Sequence, residues 1–300
     1  MKDNTKLRSN MLLLMAAFFW GIAFVAQESG AKLIPAFTFN AVRMTIGGIV
    51  LLPVIYFFGR NKKSEPEKGS AVLLLLGGFL CGCALFIASA LQQHGLSYTS
   101  ASKSGFITAL YIVLVPILGL LLKKRVNPLI WAAVILSCIG MYMLCVTDGF
   151  TEINKGDLIT MLCALFFSIQ ILLVDYFVKR LDPVKLSCVQ FFTVGILSAI
   201  PALLLEQTPV SDITAAWGAL LYTGIFSCGI AYTCQVIGQK GAKPAVASLI
   251  MSLESVFAAI SGSILLPETN SLSLQQLIGC LLMFSAILLS QFPVKNPKNE

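Results

Sequence analysis

Residues 11–53 read MLLLMAAFFWGIAFVAQESGAKLIPAFTFNAVRMTIGGIVLLP. Two apolar runs flank a short turn at Leu33-Ile34-Pro35. Each is long enough for a helix to cross the roughly 30 Å of hydrocarbon in a bilayer, which takes about 20 residues. The stretch is therefore a helical hairpin in lipid. Its polar content goes beyond anchoring: Trp20-Gly21 falls in the middle of the first run, Gln27-Glu28 near its end, and Arg43 well inside the second. An arginine turned to lipid costs a few kcal/mol or more, so Arg43 must face a partner or water.

The remaining chain repeats this pattern. At 57% hydrophobic and 12% charged residues, the 300-residue chain lies far outside soluble usage. Further apolar spans cover 71–93, 99–122, 128–145, 158–178, 184–205, 215–237, 245–266 and 274–291, ten in all. The first run follows Lys2, Lys6 and Arg8, as a signal peptide would, but it is too long and leads directly into a second span, so it stays as span one. With the N-terminus inside, seventeen of the 21 Lys and Arg fall on the cytoplasmic side and three, Lys32, Lys103 and Lys155, on the other; Arg43 sits within a span. This positive-inside bias predicts ten spans and two cytoplasmic termini in the cytoplasmic membrane. The net charge of +7 is thus spread over short inter-span clusters that set orientation, and nucleic acid is set aside as a partner.

The two halves are related. A shift of about 148 residues carries Pro35 onto Pro183, Gly47 onto Gly195 and Pro53 onto Pro201. Five spans per half is an odd number, so the second half enters the membrane upside down. The expected fold is all-α and integral to the membrane, with ten transmembrane helices as two inverted five-helix repeats, residues 11–146 and 157–291, joined by an acidic linker over 147–157. Inverted repeats are typical of transporters, whose site lies near the midplane between the halves.

Enzyme chemistry finds no support. The only histidine, His94, precludes an HExxH zinc site; there is no GxSxG elbow, and Asp175 is the single in-span aspartate. No GxxxxGK[ST] phosphate loop appears. The nine cysteines show no metal or disulfide spacing and read as small packing residues, so no cofactor or metal is expected. Gly78 and Gly82 in span three form a small-xxx-small pair suited to close helix approach.

The pattern AAFFWGIAFV at 16–25, a proline some fourteen residues beyond Trp20-Gly21, and Arg43 eight residues after that proline resemble the drug/metabolite transporter superfamily, specifically its EamA-type members. LSYTSASKSGFITALYIVLVP at 96–116 is similar to the family's fourth helix and LESVFAAISGSILLPET at 253–269 to its ninth. The resemblance implies a ten-helix inner-membrane carrier working by alternating access, many members of which export amino acids or other small metabolites. Two departures stand out. Of the glutamates that often follow helices four and nine, only Glu268 is present, with Lys123-Lys124-Arg125 in the other place; and Ser255 replaces the proline of helix nine.

The candidate site residues are polar or aromatic groups inside or at the ends of spans: Trp20, Glu28, Arg43, His94, Lys103, Tyr111, Tyr222, Tyr232, Gln235 and Glu254. Arg43 is expected to bind an anionic group such as a carboxylate or to pair with Glu28 or Glu254. Glu254, in mid-span, suits proton coupling, because a low-dielectric setting disfavours a charged carboxyl. His94, at a span end, is placed to tune coupling. Lys103 could meet a carboxylate from the outer vestibule, and Asp175 reads as interfacial. The expected partners are a small-molecule substrate, the lipid bilayer and protons, with a monomer or homodimer as the assembly. A lipid or lipid-linked sugar flippase is the runner-up function.

Overall fold

The computed structural model describes residues 2–60, 71–99, 101–123, 126–145, 154–265 and 273–292, and every regular element among them is helical. The cluster at Lys124-Arg125, residue Glu268 and most of the acidic linker fall outside the described residues. Helices α1 (Lys2–Ala31), α2 (Ala36–Arg60) and α3 (Ala71–Gly95) make the first three crossings. The fourth is broken into α4 (Ala101–Thr108) and α5 (Tyr111–Leu121), and α6 (Pro128–Cys145) is the fifth. Helix α7 (Lys155–Phe177) follows, then α8 (Pro183–Pro201), which a π-helical turn, Ala202–Glu206, extends. After the short α9 (Val210–Ala215), the eighth crossing runs through α10 (Trp217–Tyr222), a π-helical stretch (Thr223–Tyr232) and α11 (Thr233–Gln239). The ninth is broken into α12 (Pro244–Met251) and α13 (Glu254–Leu265), and α14 (Leu274–Gln291) closes the bundle.

Among the described residues nine crossings are long and apolar enough to span a bilayer. The tenth, Pro128–Leu144, is shorter, at the lower end of the roughly 17–25 residues that suffice. Among the described residues, Lys6, Lys179, Lys240 and Lys243 come together at one end of the bundle, the basic end, and the turns at 33–35 and 97–99 lie at the opposite end.

Local signals explain most helix starts. Pro183 and Pro244 occupy the first turn of α8 and α12, where a missing N–H costs nothing. Asn154 and Asp157 form a capping box on α7, and Ser273 and Gln276 another on α14. Asp182 caps α8, its Oδ1 accepting from the N–H groups of Val184 and Lys185 at 3.0 and 3.2 Å. Helix α2 is capped from the far side of the chain: Glu206, at the end of the seventh crossing, accepts from the N–H groups of Phe37 and Thr38 at 2.9 and 2.6 Å and from the Thr38 hydroxyl at 2.7 Å.

Packing runs mainly between the halves. The fifth and tenth crossings lie together, as do the second and seventh; the third meets the sixth and seventh, and the first meets the eighth and ninth. Each contact has a counterpart when crossing n is exchanged for n + 5, the network a two-fold relation between halves requires. Glycines set the close approaches: Gly78 and Gly82 lie on Val189 and Thr193 of α8, and Gly140 on Gly279. A Cβ at these positions would collide with the neighbour, which is how the small-xxx-small pair brings backbones together.

The breaks in the fourth and ninth crossings were not legible as such. At the first, Leu110 and Ile112 donate to carbonyls three residues back, at Ile107 and Ala109, one turn before Pro116. A proline ring displaces the preceding turn, which accounts for this break. The ninth crossing breaks without a proline. Leu253 and Ser255 donate three residues back, to Ile250 and Ser252, while the Ser252 hydroxyl donates to the Leu249 carbonyl at 2.8 Å. Serine side chains that bond the backbone in this way loosen a helix. The break between Ser252 and Ser255 thus forms without a proline.

Candidate functional site

Near the middle of the bundle a cavity is lined by Trp20, Phe24 and Gln27 of α1, Arg43 of α2, Gln92 of α3, Thr108 and Tyr111 at the two edges of the first break, Phe167, Gln170 and Ile171 of α7, Ser227 and Tyr232 of the π-helical stretch, Gln235 of α11, and Met251 and Glu254 at the edges of the second break. Its volume is about 30 Å³, room for a couple of waters at roughly 10–15 Å³ each.

Arg43 is 2% exposed. Its Nε donates to Asn40 Oδ1 at 2.8 Å and its Nη1 to Gln27 Oε1 at 2.7 Å, with the guanidinium 5.4 Å from the Phe39 ring. Nothing among the described residues accepts from Nη2, and no carboxylate lies within ion-pair distance. The expected pairing with Glu28 or Glu254 is therefore corrected: Glu28 pairs with Lys32 at 3.2 Å near the bundle surface, and Glu254 accepts from the Tyr111 hydroxyl at 3.0 Å. Neutral amides orient the guanidinium without cancelling its charge. The result is a buried cation on the cavity wall, with both N–H groups of Nη2 to spare.

The acid has its own setting. Glu254, 4% exposed, is the first residue of α13, and Tyr111 is the first of α5. Their hydrogen bond ties the two helix breaks together across the cavity. Trp20 is held by donation of Nε1 to the Ser227 carbonyl at 3.3 Å and packs edge-on to Tyr232, ring centroids 4.7 Å apart. Ser227 lies in the π-helical stretch, whose wider turn offers such carbonyls to side chains. A chain of amides completes one wall: Gln235 Nε2 donates to Gln170 Oε1 at 3.2 Å, Gln170 Nε2 to Gln190 Oε1 at 3.4 Å, and Gln235 Oε1 is buried without a partner.

Six of the ten candidates thus meet at the cavity: Trp20, Arg43, Tyr111, Tyr232, Gln235 and Glu254. The other four lie elsewhere. Tyr222 donates to the Phe19 carbonyl at 3.3 Å and stacks on Phe226; exposed His94 packs edge-on to Tyr98; Glu28 and Lys103 line a shallow hollow of about 540 Å³ at the opposite end. Asp175, expected at the interface, is buried and pairs with Lys179 at 2.8 Å on the wall of a vestibule of about 1120 Å³ at the basic end. Sequence reasoning missed Phe24, Gln27, Gln92, Thr108, Phe167 and Gln170 as lining groups. A signal was available: Phe24 and Phe167, Gln27 and Gln170, Gln92 and Gln235, Thr108 and Met251, and Tyr111 and Glu254 each stand 143 residues apart.

A polar cavity between two related halves of a multi-pass bundle, flanked by paired helix breaks, defines a membrane transport protein. The chain belongs to the EamA-like transporter family, whose model matches it twice, over residues 7–146 and 154–292. An uncharacterized transporter of Archaeoglobus fulgidus is 31% identical over 285 residues, 95% of this chain and 86% of that protein. The uncharacterized transporter sll0355 of Synechocystis is 25% identical over 97% of this chain and 92% of its own length. The chloroplastic WAT1-related protein At3g02690 of Arabidopsis thaliana is 27% identical, with 95% and 70% covered. A solved crystal structure at 20% identity superposes with a TM-score of 0.74 over 94% of this chain and 96% of that one, a likeness of fold. The protein is accordingly a multi-pass membrane transporter for a small-molecule substrate, and its family is not one of enzymes.

Proposed function

We propose that this chain is a secondary carrier that exports a small carboxylate-bearing metabolite, amino acids first among the class, across the cytoplasmic membrane by alternating access. The two five-helix repeats, residues 11–146 and 157–291, rock about the central cavity, with both termini and the basic end in the cytoplasm. The observation that carries the reading is Arg43: a buried guanidinium on the cavity wall, held by amides at Nε and Nη1, with Nη2 unbonded among the described residues. A carboxylate is the group that a planar, doubly donating cation accepts best. The unpartnered Gln235 Oε1 supplies an acceptor for a donor group elsewhere on the cargo.

Glu254 carries the coupling proton. It faces the same cavity, and its hydrogen bond to Tyr111 connects its ionisation to both helix breaks. His94, Lys103, Glu28 and Tyr222 serve the mouth and frame of the carrier and do not touch its cargo. The cavity of about 30 Å³ is too small for a metabolite, so side chains must part as cargo enters.

Proteoliposomes offered a mixed pool of amino acids and other carboxylates, with and without a proton gradient, test the reading, with vesicle contents read by mass spectrometry. Selective, gradient-dependent movement of one carboxylate class is expected. Folded protein that moves no carboxylate, and movement that is the same with Arg43→Gln, would each overturn the assignment.

A further inference from the structure

The two ends of the bundle are built from quasi-equivalent positions, yet they are not fastened alike: at the basic end Lys6 Nζ and Asn10 Nδ2 of α1 donate to the carbonyl and Oε1 of Gln291 of α14, at 3.4 and 3.0 Å, and so join the first crossing to the tenth. At the end opposite the basic one, Lys103 Nζ of α4 lies 2.6 Å from Asp157 Oδ2 of α7. The Thr99 hydroxyl donates to Asp157 Oδ1 at 3.0 Å, and Asn154 Nδ2 donates to the Tyr98 carbonyl at 3.2 Å. Beneath these contacts Gly156 lies against the Gly95 carbonyl and Gly95 against Thr160, too close for side chains. The third and fourth crossings are thereby closed on the sixth.

The 143-residue relation holds outside the cavity. It carries Gly95 onto Gly238, and Gly238 packs on Leu13 as Gly95 does on Gly156, again 143 residues apart. The same relation places Val246 where Lys103 stands, Leu14 where Asp157 stands, Ala242 for Thr99, Gly241 for Tyr98 and Met11 for Asn154. Every polar member of the fastening has an apolar or small counterpart. Gly241, Ala242 and Val246 line the vestibule of about 1120 Å³ at the basic end, whereas the hollow beside Lys103 holds about 540 Å³. The open end is the one that lacks, among the described residues, a counterpart of the Lys103–Asp157 cluster.

We infer that the cluster of Lys103, Asp157, Thr99, Asn154 and the Tyr98 carbonyl is a one-sided latch that sets the resting state of the carrier, closed at its own end and open at the basic end. This rests on the alternating-access reading above. Two related halves without such a latch would populate the two states more evenly, because exchanging the halves exchanges the states. A short ion pair whose acid is almost wholly buried adds a difference that exists in one state only. Such a difference biases a two-state equilibrium by its full amount. Opening to the far side requires the latch to part, and this is the step at which cargo held in the cavity gains an exit.

Hydrogen–deuterium exchange on the whole protein in lipid nanodiscs tests this without any transport assay, so the latch and the carrier function stand or fall separately. In Lys103→Met and Asp157→Asn, backbone exchange at 97–108 and 154–165 should rise about tenfold while that at 112–121 and 237–247 falls. Opposite changes at the two ends mark a shift between states. Lys103→Arg should exchange like the original protein. Faster exchange at the latch alone would make it a local fastener and overturn the proposal, as would no change at either end.

Discussion

The two halves of the central cavity differ in an instructive way. The first half contributes Phe24, Gln27, Gln92 and Tyr111, and the second Phe167, Gln170, Gln235 and Glu254 at the corresponding positions. Aromatic walls and neutral amides are kept in both, so the frame is a repeated one. The charges are not repeated. Tyr111 faces Glu254, and the 148-residue shift that matches the second and seventh crossings carries Arg43 onto Phe191. Duplication built the cavity, and departures from duplication gave it chemistry.

The sharpest way to break this comparison is at Arg43. Arg43→Gln should lower flux about a hundredfold or more, by loss of a charge-assisted contact to cargo, while the thermal midpoint moves by less than about 3 °C because no buried ion pair is broken. Measuring flux beside a melting curve separates the two roles, and a large fall in the melting temperature would make Arg43 a structural group. Glu254→Gln should retain downhill exchange of cargo but flatten its dependence on pH. A pH profile that survives in this variant assigns coupling elsewhere.

Smaller effects sharpen the comparison. Gln27 and Gln170 occupy equivalent positions, but only Gln27 bonds the guanidinium. Gln27→Ala should therefore raise the apparent KM for cargo about tenfold and Gln170→Ala about threefold, the difference between a charged and a neutral hydrogen bond. Equal effects would mean that Gln27 does not orient Arg43. Smallest for transport is Glu206→Gln, which weakens the cap on α2 and should cost about 1 kcal/mol in stability with flux per folded molecule unchanged. Its equivalent partner in fold, α8, has its own Asp182 and would not respond.

Much of this is legible in the amino-acid sequence. Ten apolar runs define the crossings, and polar groups within them point to Arg43, Glu254, Tyr111 and Trp20 because each is costly in lipid. The amides were harder to read, since neutral glutamine in a span is compatible with ordinary helix contacts, and Phe24 and Phe167 are hidden among 20 phenylalanines. The repeat shift of 148 aligns the prolines of the second and seventh crossings but conceals the cavity pairs, which follow 143. Pro35 comes eight residues after Gln27, whereas Pro183 comes thirteen after Gln170, and that five-residue difference separates the two registers. The partner of Arg43 could not be read because either acid would serve by spacing. The Glu206 cap was invisible for another reason: it joins residues 169 apart.

That cap bears on how the molecule is made. Because packing runs mainly from one half to the other, the first five crossings leave the ribosome with few partners among themselves. The start of α2 must wait in the membrane for Glu206, synthesised some 170 residues later. Assembly is therefore a late event, in which the second half docks onto helices already inserted but not yet held. Truncation after residue 146 should leave a fragment that inserts but remains open to quality-control proteases until the missing half is supplied.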